Sequence, residues 1–204
     1  FWLGFVGFAQ QVPALFFSLP GGVIADRAGR RKLLMATQTA MMLLALLLAV
    51  LVSLQWITVE RIVVIAFFAG TTMALNAPSY QAAIRDLVEQ EDTLNAIALN
   101  SIQFNLSRVL GPSLAGLTIA GLSIETCFYL NALSYVPLLY VLGRTRFPER
   151  EEREANSWRE DLAEGFRYIR TNRTILMLIV IVAMVSMFGL PYIVMMPEFA
   201  KNVL

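Results

Sequence analysis

Ser101, Asn105, Arg108 and Pro112 are spaced four, three and four apart, which puts them on one helical face, and Asn100 lies beside them. An arginine in the middle of a membrane helix costs about 3 kcal/mol on insertion scales, so it normally faces a cavity or a partner. The strip is therefore expected to line a central pathway, with Arg108 pointing inward on the face it shares with Asn105. There it would meet an anionic group of a solute, or a carboxylate supplied from elsewhere. The alternative is an arginine that snorkels to lipid headgroups. A second cluster runs from Gly22 through Asp26, Arg27, Gly29, Arg30 and Arg31 to Lys32, a tight charged loop between long uncharged stretches. Gly29 is free to adopt the positive φ of a sharp turn. Arg30, Arg31 and Lys32 would start a helix, where the macrodipole disfavours cations. Their placement calls for anions, either lipid phosphates or acidic partners such as Asp26 and Asp86.

Other chemistries lack their residues. The chain has no histidine, and Cys127 is its only cysteine. No Asp or Glu falls inside an apolar stretch, and no nucleophile has a base nearby. No Gly-rich phosphate loop is present, which argues against an ATP-driven pump. An enzyme, a metal site and a bound cofactor are therefore not expected. Nucleic acid is equally unexpected, because the cations sit at the borders of apolar segments. Gln10, Gln11, Asn76 and the pair Asn131 and Ser134 read as interhelical hydrogen-bonding groups, with Asn131 also a candidate for the pathway. Gly4, Gly7, Gly111 and Gly116 would permit close helix packing. Pro112, Pro137 and Pro191 would kink their helices.

The elements that must position these residues are membrane helices. Apolar residues make up 57% of the chain and the mean hydropathy is +0.64. Uncharged runs predict spans at about 2–24, 33–54, 62–83, 96–121, 126–143 and 174–197. The shortest rises about 27 Å, just enough to cross. The fold class is thus all-α, a polytopic membrane helix bundle. A barrel would instead show short alternating segments. Of the 16 Lys and Arg, all but Arg61, Arg108 and Lys201 lie in the loops 25–32, 84–95 and 144–173. The positive-inside rule makes these three loops cytoplasmic. No basic region precedes Phe1, so no signal peptide is expected. Within the long loop, the charge run 149–154 reads as a solvated linker, and Ser157 with Glu160 as a capping box. Trp158, Leu162, Phe166 and Ile169 then share one face of an amphipathic helix. It would lie on the inner membrane surface or pack on the cytoplasmic ends of its neighbours.

The pattern G-x-x-x-D-R-x-G-R-R at Gly22–Arg31 resembles the loop between the second and third helices of major facilitator superfamily transporters. Gly111-Pro112-Ser113-Leu114-Ala115-Gly116 resembles the fifth-helix motif of their drug:proton antiporters. Asn95–Gly116, with Asn100-Ser101, Asn105 and Arg108, and then Glu164-Gly165-Phe166-Arg167-Tyr168, resemble the branch containing the enterobactin exporter. The resemblance implies a partial major facilitator fold. Residues 1–143 would supply helices two to six, 144–173 the central cytoplasmic loop, and 174–204 helix seven, with helix one and helices eight to twelve missing. It implies a conformational latch at Gly22, Asp26, Arg27, Gly29, Arg30 and Arg31, stabilising the outward-facing state. The family's frequent helix-four arginine has no counterpart within 62–84. The implied function is secondary active export of small lipophilic or siderophore-like molecules across the inner membrane, by alternating access with proton coupling. The full-length protein would be a monomer in contact with lipids. A lysophospholipid flippase of the same superfamily and a non-transport sensor or scaffold are the competing readings.

Overall fold

The computed structural model describes residues 2–145, 147, 167–181 and 184–185, and the side chains among them other than those of 15 and 18–28. The chain divides into two compact units, Phe1–Arg150 and Glu151–Leu204. In the first unit five long helices follow one another: α1 (Trp2–Ala28), α2 (Arg30–Ser53), α3 (Val59–Asp86), α4 (Thr93–Gly121) and α5 (Ile124–Arg144), with one 3-10 turn at Gln90–Asp92. Among the described residues, α2, α3 and α5 are long and apolar enough to cross a membrane. The 29-residue α4 is longer than any of these, but the polar residues of its strip interrupt its apolar run.

The charged loop expected at 25–32 shrinks to one residue. Helix α1 continues to Ala28 and α2 begins at Arg30, so the chain turns on Gly29 alone, at φ 79°. That conformation is open to glycine at little cost. Gly22, Asp26 and Arg27 therefore belong to the last two turns of α1 and not to a loop. The loop expected at 84–95 is shortened too, because α3 reaches Asp86 and α4 starts at Thr93.

Side-chain caps start two of the helices. Thr58 Oγ1 accepts from the Arg61 N–H at 3.5 Å and Ser123 Oγ accepts from the Thr126 N–H at 3.2 Å, each satisfying a donor that the helix leaves unpaired. Glu60 and Glu125 occupy the first turns and Arg85 and Arg144 the last turns of α3 and α5, as the macrodipole favours. Helix α2 ends in a Schellman motif: the Gln55 N–H donates to Val52 O at 3.0 Å and the Trp56 N–H to Leu51 O at 2.8 Å. Gln55 fills the left-handed position at φ 57°, where glycine is usual. The Arg61 guanidinium, at the start of α3, donates to the Trp56 carbonyl and closes this turn.

Helix α1 lies mainly on α3, α2 packs against both α3 and α5, and α4 touches α3 and α5 only lightly. The interfaces are built largely of small residues, with Leu33, Leu34 and Ile65 the large apolar side chains buried among them. Ala9, Ala45, Ala49, Gly70, Ala74, Ser79, Ala83 and Ala132 are buried, while Leu, Phe and Val side chains crowd the outside. Lipid tails are as apolar as leucine, so burying large side chains gives membrane helices little, and close backbone approach gives more. The tightest approach is at Gly70, where a Cβ would overlap the main-chain carbonyl of Gln10 and lie 2.7 Å from its carbon. The glycines singled out for packing, Gly4, Gly7, Gly111 and Gly116, instead have nothing within 4 Å of an added Cβ among the described residues. Helices α4 and α5 run unbroken through Pro112 and Pro137. Pro191 lies outside the described residues, as do Trp158, Leu162 and Phe166 of the expected amphipathic helix.

In the second unit, 167–171 and 173–181 are helical. Asn172 joins them: its N–H donates to Tyr168 O at 2.9 Å, and its Oδ1 accepts from the Ile175 N–H at 3.4 Å, capping the second segment.

Candidate functional site

The polar strip sits on α4. The half-buried residues of this helix, Thr93, Ala96, Asn100, Ala115 and Thr118, form one stripe. At 3.6 residues per turn, Ser101, Asn105, Arg108 and Pro112 lie roughly a quarter turn round from it. The strip thus flanks the side of α4 that meets its neighbours, and all four residues are exposed. Ser101 Oγ donates to Ile97 O at 2.9 Å, and Asn105 Nδ2 donates to Ser101 O at 2.8 Å. The helix itself therefore satisfies both side chains. Arg108 differs. Its guanidinium lies over the Phe104 ring, 5.9 Å from the centroid, and meets no carboxylate among the described residues. Pro112 has no N–H to give to the Arg108 carbonyl, which the regular ladder would require. One position so combines a charged donor fork with an under-used acceptor.

Asn100 points elsewhere. Its Oδ1 accepts from the Tyr80 hydroxyl at 2.9 Å, linking α4 to α3. Asn131 is exposed on α5, and its carbonyl accepts from Ser134 Oγ at 2.7 Å. The five residues expected to line one pathway are thus divided between the exposed strip, the α3 contact and α5. Asn76 does hydrogen-bond between helices: its Oδ1 accepts from Thr37 Oγ1 at 2.9 Å and Gln38 Nε2 at 3.3 Å, joining α3 to α2.

The charged motif meets α3 and α5 at one end of the bundle. Arg30 pairs with Asp86, with side chains 14% and 29% exposed, so one of the two acidic partners expected from sequence is found. Arg31 Nη2 donates to the Gly143 carbonyl at the end of α5. At the opposite end, Ser53 Oγ donates to the Tyr129 hydroxyl at 3.3 Å, so α2 and α5 are fastened at both ends. Arg30 and Arg31 thus each have a partner inside the first unit. The side chains of Asp26 and Arg27 lie outside the described residues. Tyr80, Thr37, Gln38 and Gly70 escaped the sequence reading, since nothing in their periodicity ties them to partners 20 to 60 residues away.

A family model described as transmembrane secretion effector matches residues 3–204. The chain belongs to this family of major facilitator transporters. Among curated proteins it is 33% identical over 135 residues to the staphyloferrin A transporter of Staphylococcus aureus, covering 66% of this chain and 34% of that protein. It is 24% identical over 164 residues to the uncharacterized MFS-type transporter YfiS of Bacillus subtilis, covering 78% and 38%. It is 28% identical over 160 residues to a Na(+), Li(+), K(+)/H(+) antiporter of Planococcus maritimus, covering 78% and 37%. The chain spans little more than a third of the length of each. The family is one of membrane transporters and not of enzymes, and the helical bundle is part of its fold.

Proposed function

We propose that the full-length protein is a secondary active exporter of small lipophilic or siderophore-like molecules, working by alternating access with proton coupling. The observation that carries this reading is the 33% identity to the staphyloferrin A transporter, over 135 residues. Arg108 supports it: an exposed guanidinium on a membrane helix, with no acidic partner among the described residues, suits an anionic substrate group. Ser101, Asn105 and Pro112 share its helical face, while Asn100 turns to Tyr80 on α3 and Asn131 lies on α5. In this reading the end carrying Arg30, Asp86 and Arg144 faces the cytoplasm of the inner membrane, and Asp26 and Arg27 latch the two halves of the transporter.

The test is a deletion strain of the full-length gene and its complemented partner, with cell-retained and secreted siderophores and lipophilic compounds quantified by mass spectrometry. The exporter predicts at least one anionic compound retained on deletion and released on complementation. Unchanged retention of every compound refutes export. The antiporter relative favours a second reading, exchange of monovalent cations for protons. A deletion strain that loses sodium tolerance with unaltered compound retention would establish that reading instead.

A further inference from the structure

Three cations lie at the end of the bundle where α2 begins and α5 ends, and none has a carboxylate partner among the described residues. Arg31, Lys32 and Arg144 are all exposed. Asp86 at this end is engaged by Arg30, and Glu89, Glu91 and Asp92 lie beyond it on the connection from α3 to α4. Arg31 donates to the carbonyl of Gly143, a neutral acceptor, which brings its guanidinium beside the residue preceding Arg144. The Arg144 guanidinium folds back over the Tyr140 ring, 5.4 Å from its centroid and one turn along α5. The positive end of the α2 macrodipole and the negative end of the α5 macrodipole oppose each other here, so the three side chains supply the charge. A bound anion would offset the mutual repulsion of these like charges.

The surroundings say which kind of anion. Helices α2 and α5 are both long and apolar enough to span a membrane, so their shared end lies at headgroup level. Tyr140 is a ring of the kind that settles at the membrane interface. Towards the membrane centre from it, Val136 and Leu133 on α5 and Leu43 and Leu47 on α2 turn apolar side chains outward. A phosphate over the cations would leave its acyl chains against these residues. A soluble anion would use the charges and leave the apolar wall idle.

We propose that the α2–α5 junction binds an anionic phospholipid, with its phosphate held by Arg31, Lys32 and Arg144 and its acyl chains along the outer faces of α2 and α5. The site rests on the membrane assignment and not on what is transported, so it stands or falls apart from the exporter reading.

The full-length protein, delipidated in detergent, is titrated with phosphatidylglycerol or phosphatidylcholine and read by native mass spectrometry. The wild type is expected to prefer phosphatidylglycerol about tenfold. A cation near the membrane surface contributes enough that each one removed weakens anionic-lipid binding roughly fivefold. The pair Lys32→Gln and Arg144→Gln should therefore abolish the preference. Arg85→Gln, which removes an exposed cation from the last turn of α3, should change it less than about twofold. If the double variant is unstable, Lys32→Gln alone carries the test, since its side chain makes no hydrogen bond among the described residues. Equal binding of the two lipids by the wild type, unchanged binding by the variants, or an equal loss in Arg85→Gln would each overturn the site. Displacement of the lipid by millimolar inorganic phosphate would assign it to a small anion and overturn the lipid.

Discussion

If α4 spans the membrane, Arg108 is the costliest residue to place there, and nothing in the described chain offsets that cost beyond the Phe104 ring. A cation over an exposed ring contributes about 0.5–1 kcal/mol, less than the roughly 3 kcal/mol that mid-membrane insertion costs. Water, substrate or a carboxylate from the rest of the protein must supply the difference. Arg108→Ala is therefore expected to abolish or redirect transport while leaving the amount of folded protein unchanged, since an exposed side chain with no partner holds nothing together. Arg108→Lys should rescue poorly, because a point charge does not replace a planar fork. Efflux rates normalised to membrane-inserted protein check both. Full activity in Arg108→Ala would reduce the residue to a topology signal.

At the scale of helices, the contact between α1 and α3 depends on one missing side chain. A methyl group at Gly70 would run into the main chain of Gln10, which cannot rotate away as a side-chain tip would. Gly70→Ala should force the two helices apart and destabilise the protein by about 1–3 kcal/mol, the usual cost of overpacking, although alanine is the better helix former by about 1 kcal/mol. Thermal unfolding of the purified full-length variant measures the balance. A melting temperature at or above that of the wild type would mean that the helices do not approach so closely. Helix α2 makes the opposite use of its side chains. Its Thr37 and Gln38 both donate to Asn76, and an interhelical hydrogen bond in lipid is worth about 0.6 kcal/mol. Close packing, rather than polar attraction, is the stronger term.

For the molecule as a whole, the charged end fastens helices within the first unit. Arg30 with Asp86, and Arg31 with Gly143, tie α2 to α3 and to α5 inside one unit. Asp86→Asn removes the carboxylate that pairs with the part-buried Arg30 guanidinium, and is expected to lower stability by about 1–3 kcal/mol and the melting temperature with it. Asp26→Asn, by contrast, is expected to lower efflux with expression and melting temperature near normal, if Asp26 latches the halves of the full-length transporter. Parallel unfolding and efflux measurements on the two variants separate the roles. Wild-type efflux from Asp26→Asn would leave the motif as a topology signal, and an unchanged melting temperature in Asp86→Asn would make the ion pair incidental.

The order of the first five helices, their bounds to within about one helical turn and their family were legible in the sequence, because lipid obliges every spanning backbone to close its own hydrogen bonds and long uncharged runs leave only helices. The motif at Gly22–Arg31 was legible for the same local reason, but its shape was not. Reading charge as loop gave eight residues, where helical hydrogen bonding continues through Asp26 and Arg27 and only Gly29 breaks it. The pairing of helices was decided in three dimensions. Gly70 meets Gln10 and Tyr80 meets Asn100 because α3 packs beside both α1 and α4. Gly4, Gly7, Gly111 and Gly116 looked equally suited to packing, yet each faces open space among the described residues. A small residue permits close approach from any side, and only the arrangement of neighbouring helices determines whether a helix takes that place.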